Sequence, residues 1–369
     1  MKLKRRVVEN SVKDSGNVLF FPDSPERKEK NKVKDFEELS VEPCVLDSLI
    51  TKANDIWDNS EDFTVEKANN TNVRFNDNAG ITFQTADGVI HNSPISRFAL
   101  SQLGVKIGVP ARYLEKCVAS GRINLAQDNV NSWLEDYNKD IFFRTYKGNI
   151  RGVLSSKYSV CDSHEILQVI DDAVDLSTYK IKGQYLSPER LHVRLVSKEM
   201  LPIEGEDLFA GLFIDSSDVG RSILTVQFGI YKQVCTNGLV VSKAGGVLFK
   251  QKHIGISTDE FHEGLIKSLA NIDLLTENAI EWVNFAKTKN VYGYNVKSLS
   301  KEEMDEFVAR IKAEVSLPEE SAIKVVNLMQ TKYDTSRWGF INGITEVAQD
   351  FTLDRRIELE RYAGNLLIA

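Results

Sequence analysis

The chain has 369 residues, 42% of them hydrophobic, with four cysteines and a formal net charge of −7. That length accommodates two domains, or one core with attachments, around a sizeable buried interior. The acidic balance removes any global attraction to nucleic acid or to an anionic membrane. No window nears the roughly 18 apolar residues of a membrane span, and the dispersed Cys44, Cys117, Cys161 and Cys235 lack the close pairing of a zinc loop.

Residues 1–40 read as a flexible basic arm, with ten Lys/Arg against six Asp/Glu over residues 1–35 and no apolar stretch of the kind a secretion signal carries. A cytoplasmic protein is the expectation. In the next unit, 41–140, CVLDSLITKANDIW spaces Val45, Leu46, Leu49, Ile50 and Ile56 as a helix does. VRF and ITFQTADGVIH read as strands, the latter a hairpin turning at Asp87-Gly88. Ser96 caps the following helix, RFALSQLG, which Gly104 is expected to end; Pro110 opens PARYLEKCVA, and NLAQDNVNSWLEDY makes a third helix.

Residues 141–258 change texture. IFFRTY, IRGVLSS, YKIKGQYL, RLHVRLVS, LFAGLFID, SILTVQFGIYKQV and GVLFKQKHIG are β-branched and aromatic, separated by turn clusters, with one helix, DSHEILQVIDDAVD, capped by Asp162. So few intervening helices imply an antiparallel sheet. From 259 to 369 the helical period returns, with a capping box at Ser300 and Glu303 and a helix start near Pro318. The fold class expected is α+β: a central antiparallel β-sheet flanked by a small N-terminal α+β lobe and a C-terminal helical subdomain.

Catalytic motifs are missing from this sequence: no phosphate-binding glycine loop, no nucleophile elbow and no paired histidines on a helix. Cys235 sits in an apolar strand, where a thiol is raised in pKa and inert. Cys161 with His164 falls short of a metal site, and Asp215 and Asp218 in FIDSSDVG fit a turn better than a nuclease centre. No catalytic residue, metal or cofactor is assigned.

One charge feature stands out. Residues 219–258 carry Arg221, Lys232, Lys243, Lys250 and Lys252 with no Asp or Glu. Arg190 and Arg194 lie on a neighbouring strand whose period of two sends Leu191, Val193 and Leu195 to one face and His192, Arg194 and Val196 to the other. Arg144, Lys147 and Arg151 lie on the first two strands, interleaved with Tyr146 and Tyr158. Such a face tracks phosphates and stacks bases if it is open; as a plain solvated face its lysines merely discourage edge pairing. Asn237-Gly238, in QVCTNGLVV, carries the dipeptide signal of a tight hairpin turn.

ISRFALSQLGVKIGVPARYLEK with NVNSWL, RGVLSSKYSVCDSHEIL with its Ser155 and Tyr158, GLFIDSSDVGRSILTVQFGIYKQVCTNGLVV with its Cys235, Asn237 and Gly238, and WGFINGITEVAQDFTLDRRIELERYAGNLL together resemble the domain-of-unknown-function family 932. The resemblance spans about residues 80–365. It departs from the family pattern at Tyr231-Lys232-Gln233, where an arginine is expected. It implies a phage or mobile-element protein of the bacterial cytoplasm and no catalytic residue. Two readings stay open, and a third, a phosphodiester-cleaving enzyme, survives only if carboxylates converge beside the basic strands. One is nucleic-acid binding, to single-stranded DNA in recombination or replication, with self-association. The other is a counter-defence or regulatory protein that binds a host protein through anchors such as Trp282, Phe285 and Trp338.

Overall fold

A computed structural model describes residues 46–75, 80–84, 90–232, 237–241, 246–253 and 257–368. The basic arm, the Asp87-Gly88 turn, Cys235 and Lys243 lie outside these residues. Within them the protein is α+β, and every strand pairing is antiparallel.

The chain opens with helix α1 (Leu46–Asp58) and strand β1 (Asp62–Val65), followed by a small sheet, β2 (Asn72–Phe75), β3 (Gly80–Gln84) and β4 (Ile90–Pro94). Three helices follow: α2 (Arg97–Ile107), α3 (Ala111–Ala119) and α4 (Ile123–Leu134). Ser96 caps α2 by accepting from the Ala99 amide at 3.1 Å. The helix does not stop at Gly104, as its sequence suggests, but runs to a left-handed Gly108 (φ 82°). Gly104 has another use, because a Cβ there would lie 2.8 Å from the Val109 carbonyl, where the chain turns back into α3.

Strands β5 (Ile141–Tyr146) and β6 (Asn149–Ser155) form a hairpin, and β5 also pairs with β1. The two residues joining them, Lys147 (φ 48°) and Gly148 (φ 73°), both take the positive angles of a tight hairpin turn. Ile141, Phe143, Ile150 and Val153 pack with Val73, Phe83, Leu103 and Val130 in the smaller of two main cores. A division at residue 140 therefore cuts through that unit. Conversely α1, with Leu46, Leu49 and Ile56, belongs to the larger core.

Helix α5 (Ser163–Ala173) starts on a capping box between Asp162 and Glu165. The six-stranded sheet then runs β11-β10-β9-β8-β7, from β7 (Tyr179–Ser187), β8 (Arg190–Met200), β9 (Leu208–Ser216), β10 (Leu224–Lys232) and β11 (Asn237–Val240). Strand β12 (Val247–Gln251) shares the outer edge of β10 with β11. Helices α6 (Thr258–Ala270), α7 (Ile272–Lys287), α8 (Lys301–Val315), α9 (Glu319–Thr331), α10 (Arg337–Val347) and α11 (Leu353–Leu367) complete the fold. No described helix is long and apolar enough to cross a membrane.

Candidate nucleic-acid interface

Arg144 on β5 is fully buried. Its Nη2 donates to Asp162 Oδ2 at 2.7 Å, its Nε to Asp62 Oδ2 at 3.0 Å and its Nη1 to the Asp218 carbonyl at 2.7 Å. Burial works against the charge, but the carboxylates of Asp162, Asp62 and Asp218 outweigh it and hold the guanidinium above its ordinary pKa. Arg151 on β6, also fully buried, donates to Asp218 Oδ2 at 3.2 Å and to the Pro188 carbonyl. Asp218 Oδ1 accepts from both the amide and the hydroxyl of Ser163, at 2.9 and 2.7 Å. Beside this knot Tyr158 donates to the Ser217 carbonyl at 3.0 Å and stacks on His253, with ring centroids 5.3 Å apart. The "SxxY" motif and the SSD turn thus meet in one buried charged joint between the smaller core and the large sheet. Ser155 lies exposed at its border.

A second set lies under α11. Arg190 grips Asp215 with two hydrogen bonds of 3.0 and 2.9 Å and pairs with Asp354. Arg194 Nη2 donates to Glu360 Oε2 at 2.7 Å and its Nε to His192 Nε2 at 3.2 Å, and the guanidinium lies 5.0 Å from the centre of the Phe213 ring. Arg221 bridges Glu189 and Asp354, both at 3.0 Å, and Arg361 reaches Gln227 at 2.8 Å. The alternation read from RLHVRLV holds, since Leu191, Val193 and Leu195 enter the larger core. The opposite face, though, is covered by α11 instead of water. The expected open face of Arg144, Arg151, Arg190, Arg194 and Arg221 is therefore corrected. Buried guanidinium groups are stable only with carboxylate partners, and Arg144, Arg151, Arg190 and Arg194 have them; Arg221 is one third exposed but is held by Glu189 and Asp354.

The lysines divide. Lys232 is held by Glu206 at 2.8 Å and faces the rings of Tyr333 and Trp338, whose indole N–H also donates to Glu206. Lys147 is exposed and 3.5 Å from Asp55. Lys250 and Lys252, on and just after β12, are exposed, with no ion pair among the described residues. Asn237-Gly238 does not form the turn: both residues belong to β11, in register with Lys232 and Tyr231. The glycine is needed for space, because a Cβ at 238 would lie 2.7 Å from Arg194 Nη1 and 3.1 Å from the Phe213 ring. Among the described residues no group of three or more His, Cys, Asp or Glu is placed to hold a metal ion. Asp215 and Asp218 are both engaged by arginine.

A second concentration of basic residues lies on α2 and α3. Residues 97–127 carry five basic residues, Arg97, Lys106, Arg112, Lys116 and Arg122, against the single acid Glu115. Glu115 is taken by Arg97 at 3.2 Å. Helix α3 buries Leu114, Cys117 and Val118 and turns Arg112, Tyr113 and Lys116 outward; α4 buries Ala126, Val130 and Leu134 and leaves Leu125 and Trp133 exposed. Asn129 joins the two helices, donating to the Leu125 carbonyl at 2.8 Å and to the Tyr113 hydroxyl at 3.5 Å. The Trp133 ring covers Gly108, 3.8 Å from where a Cβ would stand. Partial burial lowers the pKa of Lys106, and repulsion from Lys139 lowers it further. Lys106, Lys116 and Arg122, which make no ion pair among the described residues, thus lie on the same run of helices, α2 to α4, as the exposed rings of Tyr113 and Trp133. The clue in the sequence was a run of basic residues with one acid.

A family model described as a domain of unknown function (DUF932) matches residues 151–364, from within β6 to within α11. The match takes in the large sheet, its buried arginines and the helices on it; α2, α3 and α4 precede it. No curated protein and no solved structure gives a significant match.

Proposed function

This chain belongs to the DUF932 family, and we propose that it binds nucleic acid, without catalytic chemistry of its own, as a phage or mobile-element protein acting in recombination or replication in the bacterial cytoplasm. The observation that supports this reading is the surface of α2, α3 and α4. There Lys106, Lys116 and Arg122 make no ion pair among the described residues and stand beside exposed Tyr113 and Trp133. Cations free of carboxylates can exchange their counterions for phosphates, which is the main source of non-specific affinity. The sheet arginines cannot do so without first breaking buried pairs. Lys250 and Lys252 offer a smaller cationic edge.

Binding to a host protein is the second reading. Of its three aromatic anchors Phe285 alone is well exposed, because Trp338 is buried and Trp282 packs against the larger core. The two readings separate in one assay. The full chain is titrated into a labelled oligonucleotide at about 50 mM salt and again at about 200 mM. Retention that weakens as salt rises, and that weakens further in Lys116→Glu with Arg122→Glu, is the expected result. No retention of single- or double-stranded DNA at the lower salt overturns the proposal.

A further inference from the structure

Resting on that reading, we infer that the α3–α4 surface takes unpaired bases, so that its substrate class is single-stranded nucleic acid and duplex binds there only weakly. Trp133, Leu125 and Tyr113 are 49%, 42% and 38% exposed. A duplex presents phosphates and groove edges and keeps the faces of its bases stacked inside, so it would leave these side chains uncovered. A single strand offers both a phosphate track and bare π-faces, and every base has such a face.

The rings are also held in place. Trp133 packs beside Gly108, which ends α2 in a left-handed conformation (φ 82°) at the α2–α3 turn. Tyr113 is tethered through its hydroxyl to Asn129, one turn before Trp133 on α4. Aromatic groups fixed in this way lose little freedom on stacking.

The charges give the strand a side. Lys106 lies on α2, Arg112 and Lys116 on α3 and Arg122 at the start of α4, whereas the exposed acids Asp128, Glu135 and Asp136 lie on α4 and just beyond it, with Lys139 after them. Phosphates therefore follow α2 and α3 and the bases turn toward α4. Lys106 and Lys139 repel each other across this surface, and an arriving phosphate relieves that repulsion.

The test uses the full chain with a fluorescent oligothymidine of about 30 nucleotides and a duplex of the same length. The expected result is tighter binding of the single strand, with Trp133→Ala weakening single-strand binding about tenfold and duplex binding far less. Trp133→Phe, which keeps a ring, restores most of the loss and rules out a folding defect. Equal affinity of the wild type for both substrates, or single-strand affinity unchanged in Trp133→Ala, overturns this inference while the nucleic-acid reading stands. Binding of neither substrate overturns both.

Discussion

Glu360 is the strongest test of the buried charge network. It is fully buried, Arg194 is 2% exposed, and among the described residues no other carboxylate is hydrogen-bonded to that guanidinium. Its remaining partners, His192 and the face of Phe213, carry no negative charge; burial keeps His192 well below the usual histidine pKa and therefore neutral. Glu360→Gln keeps the shape and removes the charge that Arg194 and Arg356 share, leaving the interior with cationic charge it no longer balances. Breaking one partner of a buried pair costs about 3–5 kcal/mol. With a urea slope of about 3 kcal/mol per molar, the unfolding midpoint should fall by about 1–1.7 M. The assay is urea unfolding followed by circular dichroism. The double variant Arg194→Met with Glu360→Leu still takes the Glu360 carboxylate from Arg356, so the compensated form is the triple variant Arg194→Met, Glu360→Leu and Arg356→Met, which should regain at least half of the loss. A midpoint for Glu360→Gln within about 0.2 M of the wild type would refute the burial argument.

Gly238→Ala introduces a Cβ 2.7 Å from Arg194 Nη1. It should destabilise by about 1–3 kcal/mol, read as a lower melting temperature, although the substitution is conservative by size. His253 is buried and its pKa is pushed down to about 4, chiefly by desolvation. Because the folded value lies below the unfolded one of about 6.5, its contribution to stability is complete above pH 6.5 and is lost as pH falls toward 4, by about 3 kcal/mol in all. Unfolding midpoints measured across that window should fall less steeply in His253→Phe than in the wild type; identical profiles would show that this histidine titrates alike in both states.

How much could be read in advance follows from what is local. The antiparallel strands, the Asp162 and Ser300 caps and the period-two alternation of β8 rest on neighbours in sequence, and the structure has them. The fate of the arginines depended on residues far away. Arg194 meets Glu360 across 166 positions, and Arg144 meets Asp62 across 82. Nothing near RLHVRLV signals that a C-terminal helix will cover that face. Asn-Gly misled for a related reason: the dipeptide suits a turn, but its glycine makes room for a side chain from another strand. The real two-residue hairpin, Lys147-Gly148, carries a weaker signal. The surface of α2 to α4 leaves a charge imbalance in the sequence, but only burial separates exposed Trp133 from buried Leu134.

Salt dependence tests the central claim most directly. Affinity for a labelled single strand is measured between about 50 and 200 mM salt, for the wild type and for a variant carrying Lys106→Gln, Lys116→Gln and Arg122→Gln. Each single-strand phosphate contact contributes a slope of about 0.7 in log affinity against log salt, so losing three should flatten the dependence by about 2. A matching variant at Lys250 and Lys252 should keep most of the slope. Equal slopes in the wild type and the triple variant would contradict a nucleic-acid interface on α2 to α4.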